Sequence, residues 1–294
     1  MNGIIVINKE KNWTSNDVVQ KIKGIFHEKV GHTGTLDPLA TGVIPILIGK
    51  GTQLSKYLIN HDKEYIATIK LGYKTSTGDL EGKIVEQKEV LDGMLENDYV
   101  NEVLKQFEGK ITQIPPIYSA IKVNGKKLYE YARKSQNVEI PSRNIEIYEI
   151  ELISISKKDM EITYRVHCSK GTYIRTLCED ISKKLGTVGY MKELKRTRVG
   201  NFSIQNSLKI TDMNNSEKVQ EKFITIEKFL ENKEKLELSS ENMKRFLNGV
   251  KIRYEKKDEI YRVYYKDAFV GTGIISNNFL KRDIIENTLF LDVK

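Results

Sequence analysis

The chain has 294 residues, 39% of them apolar and 30% charged, with a net charge of +8 and a pI near 9.1. At roughly 100–200 residues per domain this is one large domain, or a large one with a small one, and the composition excludes a disordered or fibrous chain. The basic excess favours an anionic partner, either nucleic acid or an acidic membrane surface.

Residues 3–8 read as a short buried strand. The run from Met1 stops at Lys9, Glu10 and Lys11, which is not the shape of a signal peptide. Thr14 or Ser15 then caps a helix whose apolar stripe is Val18, Val19, Ile22, Ile25 and Phe26, with Asp17 near its positive end. Residues 31–51 begin as a loop rich in Gly, Thr and Pro and end in the apolar run 43–48. A strand follows at 65–71, then a polar, Gly-containing connection at 74–82. Tyr99, Val103, Leu104 and Phe107 mark a helix closed by Gly109.

Pro115 and Pro116 break the chain and open a basic, aromatic segment up to Pro141. Residues 145–155 form a long strand, and 160–168 alternate as a half-buried one. Ile174, Leu177, Cys178, Ile181 and Leu185 share one helical face, with Gly186 just past its end. Residues 203–235 are polar and lysine-rich, with a helical stretch near 223–230. In the tail, Ser239 caps a short helix and three strands follow, at 261–265, 268–275 and 279–285. The expected division is a catalytic domain over 1–230, with an insertion at about 115–141, and a small β-rich module over 231–294. Irregular crossovers and half-buried strands favour an α+β fold with a mixed, mostly antiparallel sheet over a doubly wound one.

Cys168 and Cys178 make neither a disulfide framework nor a metal knuckle. No apolar run reaches bilayer length, so the expectation is a cytoplasmic protein with reduced thiols. Nothing matches a dinucleotide loop, a Walker loop or a zinc spacing.

The densest feature is Gly31-His32-Thr33-Gly34-Thr35-Leu36-Asp37-Pro38-Leu39-Ala40-Thr41-Gly42. It holds one carboxylate between glycines that permit close backbone approach and a proline that stiffens the turn. A lone Asp-Pro is usually a turn that caps itself, but an ordinary turn does not need so many special residues.

This stretch resembles the catalytic signature of the TruB-type tRNA pseudouridine synthases. Further stretches match in order: Lys63-Glu64-Tyr65-Ile66-Ala67; Thr75-Ser76-Thr77-Gly78-Asp79-Leu80-Glu81-Gly82; Pro115-Pro116-Ile117-Tyr118-Ser119-Ala120-Ile121-Lys122; Gly125-Lys126-Lys127-Leu128-Tyr129-Glu130-Tyr131-Ala132-Arg133; and Cys168-Ser169-Lys170-Gly171-Thr172-Tyr173-Ile174-Arg175-Thr176. The resemblance runs from about Gly3 to Gly200, and the tail is more weakly similar to the PUA-type RNA-binding module. One departure is the family's Lys-Pro-x-Gly turn, which here reads Lys9-Glu10-Lys11-Asn12 and lacks the proline and glycine.

The resemblance implies isomerisation of the T-loop uridine of tRNA, position 55, to pseudouridine. That reaction needs no cofactor and no metal, because it has no redox or phosphoryl-transfer step. It implies Asp37 as the catalytic carboxylate, Arg175 as its ion-pair partner and Tyr65 stacked on the uracil with a part in proton removal. Tyr173 and Leu194 are implied to line the uracil pocket, and His32 to engage the RNA once the uridine is turned out. Asp79 is implied to be no more than a supporting loop residue. Ordinary glycoside hydrolases would instead place two carboxylates about the bond.

Charge clustering points the same way. Lys122, Lys126, Lys127, Arg133, Lys134 and Arg143 are interleaved with Tyr118, Tyr129 and Tyr131, a composition suited to phosphates and exposed bases. A second cluster holds Lys192, Lys195, Arg196 and Arg198. A monomer is expected, with tRNA as partner and no membrane. The competing readings are a non-catalytic tRNA-binding or folding protein and a nucleoside hydrolase. The latter would need a second carboxylate or a metal site.

Overall fold

The structure is a computed structural model and describes residues 1–134 and 136–286. Its centre is an eleven-stranded sheet with a path of eight: Leu208–Lys209, Gly3–Lys9, Thr41–Ile48, Gly189–Val199, Lys63–Leu71, Glu161–Cys168, Arg143–Ser156 and Gly109–Gln113. Two pairings are parallel, Gly3–Lys9 with Leu208–Lys209 and Gly189–Val199 with Thr41–Ile48. The others are antiparallel, so the sheet is mixed and mostly antiparallel, as the sequence led us to expect.

The helix Ser15–Phe26 forms where the stripe predicts it. Thr14 is the cap: its side chain accepts from Asp17 N–H while the Asp17 carboxylate accepts from Thr14 N–H, a reciprocal box that satisfies two otherwise open donors. Val18, Val19 and Ile22 are buried against the sheet. The helix Ile174–Lys184 turns Ile174, Leu177, Cys178 and Ile181 into the same core, and Gly186 follows it at φ +95°. The helix expected to end at Gly109 is Asn97–Lys105, and Gly109 instead opens a strand.

Sequence reading missed the strand Gly189–Val199, which runs down the middle of the sheet. Two register shifts against Lys63–Leu71 interrupt its alternation, and Lys192, Lys195, Arg196 and Arg198 give it the look of a charged surface. That second basic cluster is not one surface: Arg196 is 1% exposed, while Lys192 pairs with Glu161 and Arg198 with Asp62.

The basic insertion forms a hairpin, Lys122–Val123 with Lys126–Lys127, and a short helix, Leu128–Arg133. Asn124 and Gly125 both take positive φ, the requirement of a tight two-residue turn.

A second, five-stranded sheet is ordered Lys235–Glu237, Ile260–Tyr265, Ala268–Ser276, Phe279–Ile285 and Ile252–Arg253. With the helix Ser240–Leu247 it closes its own core around Leu236, Met243, Phe246, Val263, Val270 and Leu280. The last part of the expected module, beyond 286, lies outside the described residues. The module is docked on the large sheet. Ile284 and Phe269 pack with Leu58, Ile226 and Leu230. The Asp283 carboxylate accepts from Tyr57, Lys56 and Thr272. No helix among the described residues is long and apolar enough to cross a membrane.

Candidate active site

The Gly- and Thr-rich signature becomes a loop between the strands Val30–His32 and Thr41–Ile48, with one shoulder tied to the first helix and the other to the sheet. On one side Ser15 Oγ accepts from Leu36 N–H at 2.9 Å and donates to Leu36 O at 3.0 Å. On the other, the buried Lys9 ammonium donates to Pro38 O at 3.2 Å, Trp13 O at 2.6 Å and Glu10 O at 3.0 Å, which uses its three N–H groups. Burial pushes Lys9 down to about 8. Asn12 N–H also donates to Pro38 O, at 2.8 Å. The departure from the family's Lys-Pro-x-Gly turn is therefore absorbed: Asn12 takes φ +69°, a conformation asparagine tolerates better than most residues.

Gly42 closes the loop under a steric constraint. It has φ +105°, and a Cβ there would lie 2.1 Å from Arg196 O. Only glycine lets the central strand run alongside at this point.

Asp37 emerges from this frame into a pocket of about 860 Å³, within the range of small-molecule sites and at its roomy end. Arg175 Nε lies 3.2 Å from Asp37 Oδ2. The guanidinium is nearly buried and fully engaged. Its Nη1 faces Asp79 Oδ2 at 3.5 Å and Thr77 O at 3.3 Å, and its Nη2 donates to Tyr118 O at 2.9 Å. Asp79, which the sequence left as a supporting residue, is the second carboxylate on this guanidinium. It is itself fixed by Thr77 Oγ1 at 2.5 Å and Glu81 N–H at 3.1 Å. The loop carrying it is pinned where Met191 N–H donates to Gly78 O at 3.0 Å.

Burial raises the Asp37 carboxyl above its ordinary value. Arg175 works against the shift, Asp79 adds to it, and Lys9 opposes it more weakly. The arginine thus favours the ionised carboxylate against the desolvation of the pocket.

Tyr65, Tyr173 and Leu194 line the same pocket as Asp37 and Arg175. Tyr173 N–H donates to Gln113 Oε1 at 2.8 Å and Tyr173 O accepts from Gln113 Nε2 at 3.0 Å, which fixes the start of the helix that carries Arg175. The hydroxyls of Thr33 and Ser119, both lining residues, are buried without a partner.

His32 is half-buried on the strand before the Asp37 loop and is not a lining residue; burial and then Arg196 lower its pKa. Lys122, Lys126, Lys127 and Arg133 stand outside the lining as well. Lys127 and Arg133 lie 5.4 and 5.3 Å from the ring of Tyr129, which does line the pocket. Sequence reasoning missed the roles of Lys9, Asp79 and Arg196. Lys9 closes a mostly apolar strand, which was a signal; Asp79 sits in a polar loop and Arg196 among other basic residues, where nothing local marks them.

Residues 22–174 match the TruB family pseudouridylate synthase N terminal domain, and 175–241 match the tRNA pseudouridylate synthase B C-terminal domain. The chain is 46% identical to the tRNA pseudouridine synthase B of Clostridium tetani over 93% of its own length and 95% of that protein. It is 46% identical to the protein of the same name from Oceanobacillus iheyensis, over 87% of this chain and 86% of that one. Among solved structures, an H/ACA RNP bound to a substrate RNA containing 2'-deoxyuridine superposes with a TM-score of 0.68 at 23% identity, covering 98% of this chain and 86% of that one. A Cbf5-Nop10-Gar1 complex gives 0.67 at 25%, covering 97% and 83%. These two show the shared fold, and the sequence matches carry the conclusion that this chain belongs to the TruB family of pseudouridylate synthases.

Proposed function

We propose that the chain isomerises the T-loop uridine of tRNA, position 55, to pseudouridine, with Asp37 as its catalytic carboxylate. The carrying observation is a pocket carboxylate held 3.2 Å from a buried, fully engaged guanidinium in a member of this family. The reaction breaks the bond from uracil N1 to the sugar, turns the base and rejoins it through C5. An ionised carboxylate aimed into the pocket serves as nucleophile or as counter-charge to the sugar. Tyr65 stacks on the uracil and acts at the C5 proton, and Tyr173 and Leu194 enclose the base. Lys122, Lys126, Lys127 and Arg133 meet phosphates, and His32 supports the loop opened by the extruded uridine. The catalytic unit is residues 1–230 and the RNA-binding module begins at 231, between the strand Ile224–Thr225 of the large sheet and Lys235–Glu237 of the small one. The protein works as a cytoplasmic monomer.

The test is tritium release from unmodified tRNA transcript labelled at uracil C5, since loss of that hydrogen marks pseudouridine formation. Wild type should release tritium. Asp37→Asn should release none, bind RNA as before and melt no lower, because the fold already disfavours the ionised carboxylate. Tight RNA binding with no release by wild type would leave a binding protein and refute the proposal.

A further inference from the structure

Arg196 is the largest fully buried side chain among the described residues. The groups it bonds are neutral. Its Nε donates to Val43 O at 2.7 Å and its Nη2 to Gly34 O at 2.9 Å, and the Tyr65 phenol is the group whose charge would interact most favourably with it. The sheet enforces this meeting. Arg196 lies directly opposite Tyr65 in the antiparallel pairing and beside Gly42 in the parallel one, so its side chain passes beneath the catalytic loop to the foot of the tyrosine.

A neutral amide could serve two carbonyls without the several kcal/mol that desolvating a cation costs. The charge itself therefore needs a use, and Arg196 and Tyr65 both line the pocket. A guanidinium has donors only, so towards it the Tyr65 oxygen can act only as an acceptor.

We propose that Arg196 is a positioning residue for the isomerisation, the buried counter-charge that lets the Tyr65 oxygen carry negative charge and take the C5 proton of the turned uracil. The inference rests on the function proposed above. In the step, the bond from C5 to hydrogen breaks and its electron pair restores the C5–C6 double bond; the C6–N1 pair moves onto N1, which takes a proton from water, and the C5 proton joins the phenolate oxygen. The resulting phenol returns that proton to water when product leaves. Burial pushes the Tyr65 phenol up, and Arg196 is the largest influence pulling it down, which agrees with this geometry. Arg196 acts through Tyr65 and touches no reacting atom.

Arg196→Gln and Arg196→Lys, each alone and combined with Tyr65→Phe, separate this role from a structural one when tritium release is followed across neutral to alkaline pH and melting is checked alongside. Arg196→Gln alone should lower kcat about 10- to 100-fold at neutral pH, within the usual reach of acid–base assistance, with KM within about threefold. The deficit should shrink as pH rises and the phenol ionises unaided. Arg196→Lys, which keeps the charge, should recover most of the loss. Added to Tyr65→Phe, Arg196→Gln should change kcat less than about threefold, since residues acting as one unit are not additive. Equal loss in both backgrounds, or a deficit independent of pH, overturns the inference while leaving the isomerase reading intact. No release by wild type removes that reading and this inference with it.

If the Arg196 variants melt early, tyrosine labelled at 13Cζ reports on the intact chain, with Tyr65 assigned by its loss in Tyr65→Phe and Tyr164, buried beside Cys178, as the control. Tyr65 should titrate at lower pH than Tyr164. The reverse order, or silence from both until the chain unfolds, overturns the inference.

Discussion

Replacing Arg175 by methionine removes the group that holds two carboxylates and two carbonyls together. The consequences divide by exposure. The Asp37 side chain is 37% exposed and can rehydrate from the pocket, whereas that of Asp79 is 6% exposed and cannot. Most of the stability loss therefore comes from Asp79, a buried carboxylate left without its cation. Discounting the usual cost of a broken buried pair for the part-wet partner gives about 2–4 kcal/mol, read as a lower urea midpoint.

The kinetic effect has a definite sign. Arg175 is the largest influence lowering the Asp37 pKa against burial, so its loss raises that pKa further. In the proposed role Asp37 acts as the ionised form, so the acid limb of the rate profile must move to higher pH. The linkage runs the same way. A carboxyl with a raised folded pKa contributes stability that is present below its unfolded value and lost as pH rises through the folded one. The variant's stability deficit should accordingly be larger at neutral pH than in acid, where Asp37 is protonated. At plateau pH, losing the carboxylate's aim should cost about 10²–10³ in kcat, the scale seen when one preorganised electrostatic interaction is deleted, with RNA affinity within about threefold. An acid limb that stays put or moves down, or equal losses of turnover and affinity, would refute the ion-pair role.

Lys9→Met removes the donor shared by three carbonyls, one of them on the Pro38 turn; we expect a loss of about 2–4 kcal/mol in urea unfolding and reduced kcat with RNA affinity intact. Asp283→Ala leaves the Tyr57 and Thr272 hydroxyls without their shared acceptor. It should cost about 1–3 kcal/mol and expose the segment before Lys235 to limited proteolysis, and an unchanged digestion pattern would count against the docked module. Lys126→Ala with Lys127→Ala should flatten the salt dependence of RNA binding by about 0.7–0.9 for each phosphate these side chains no longer reach, with tritium release by bound complexes unaffected; an unchanged slope would remove both lysines from the RNA surface.

Much of the fold was legible because local rules agreed with it. The cap before Asp17, the helical stripe from Val18 to Ile22, the alternation up to Cys168 and the Ser239 cap are short-range patterns that tertiary packing reinforced. The central strand Gly189–Val199 failed that test because its bulges break the period of two and its charges imitate a solvated face. Residue order carries the charge of Arg196 but not which side of the sheet receives it.

The sequence by itself determined the chemistry available: one carboxylate in a loop of glycines and threonines, an arginine at the head of a helix, a tyrosine on a strand, and a basic aromatic insertion. It determined the family as well, since those motifs are dense and ordered. Only the tertiary structure decided how the charges are shared. Asp79 reaches Arg175 from a loop nearly a hundred positions away in the chain, and Lys9 and Arg196 turn inward beneath the Asp37 loop. The physical reason is that the energy of a charge depends on its distance to its partners and on the water around it. Those quantities are set by register across neighbouring strands and are absent from residue order.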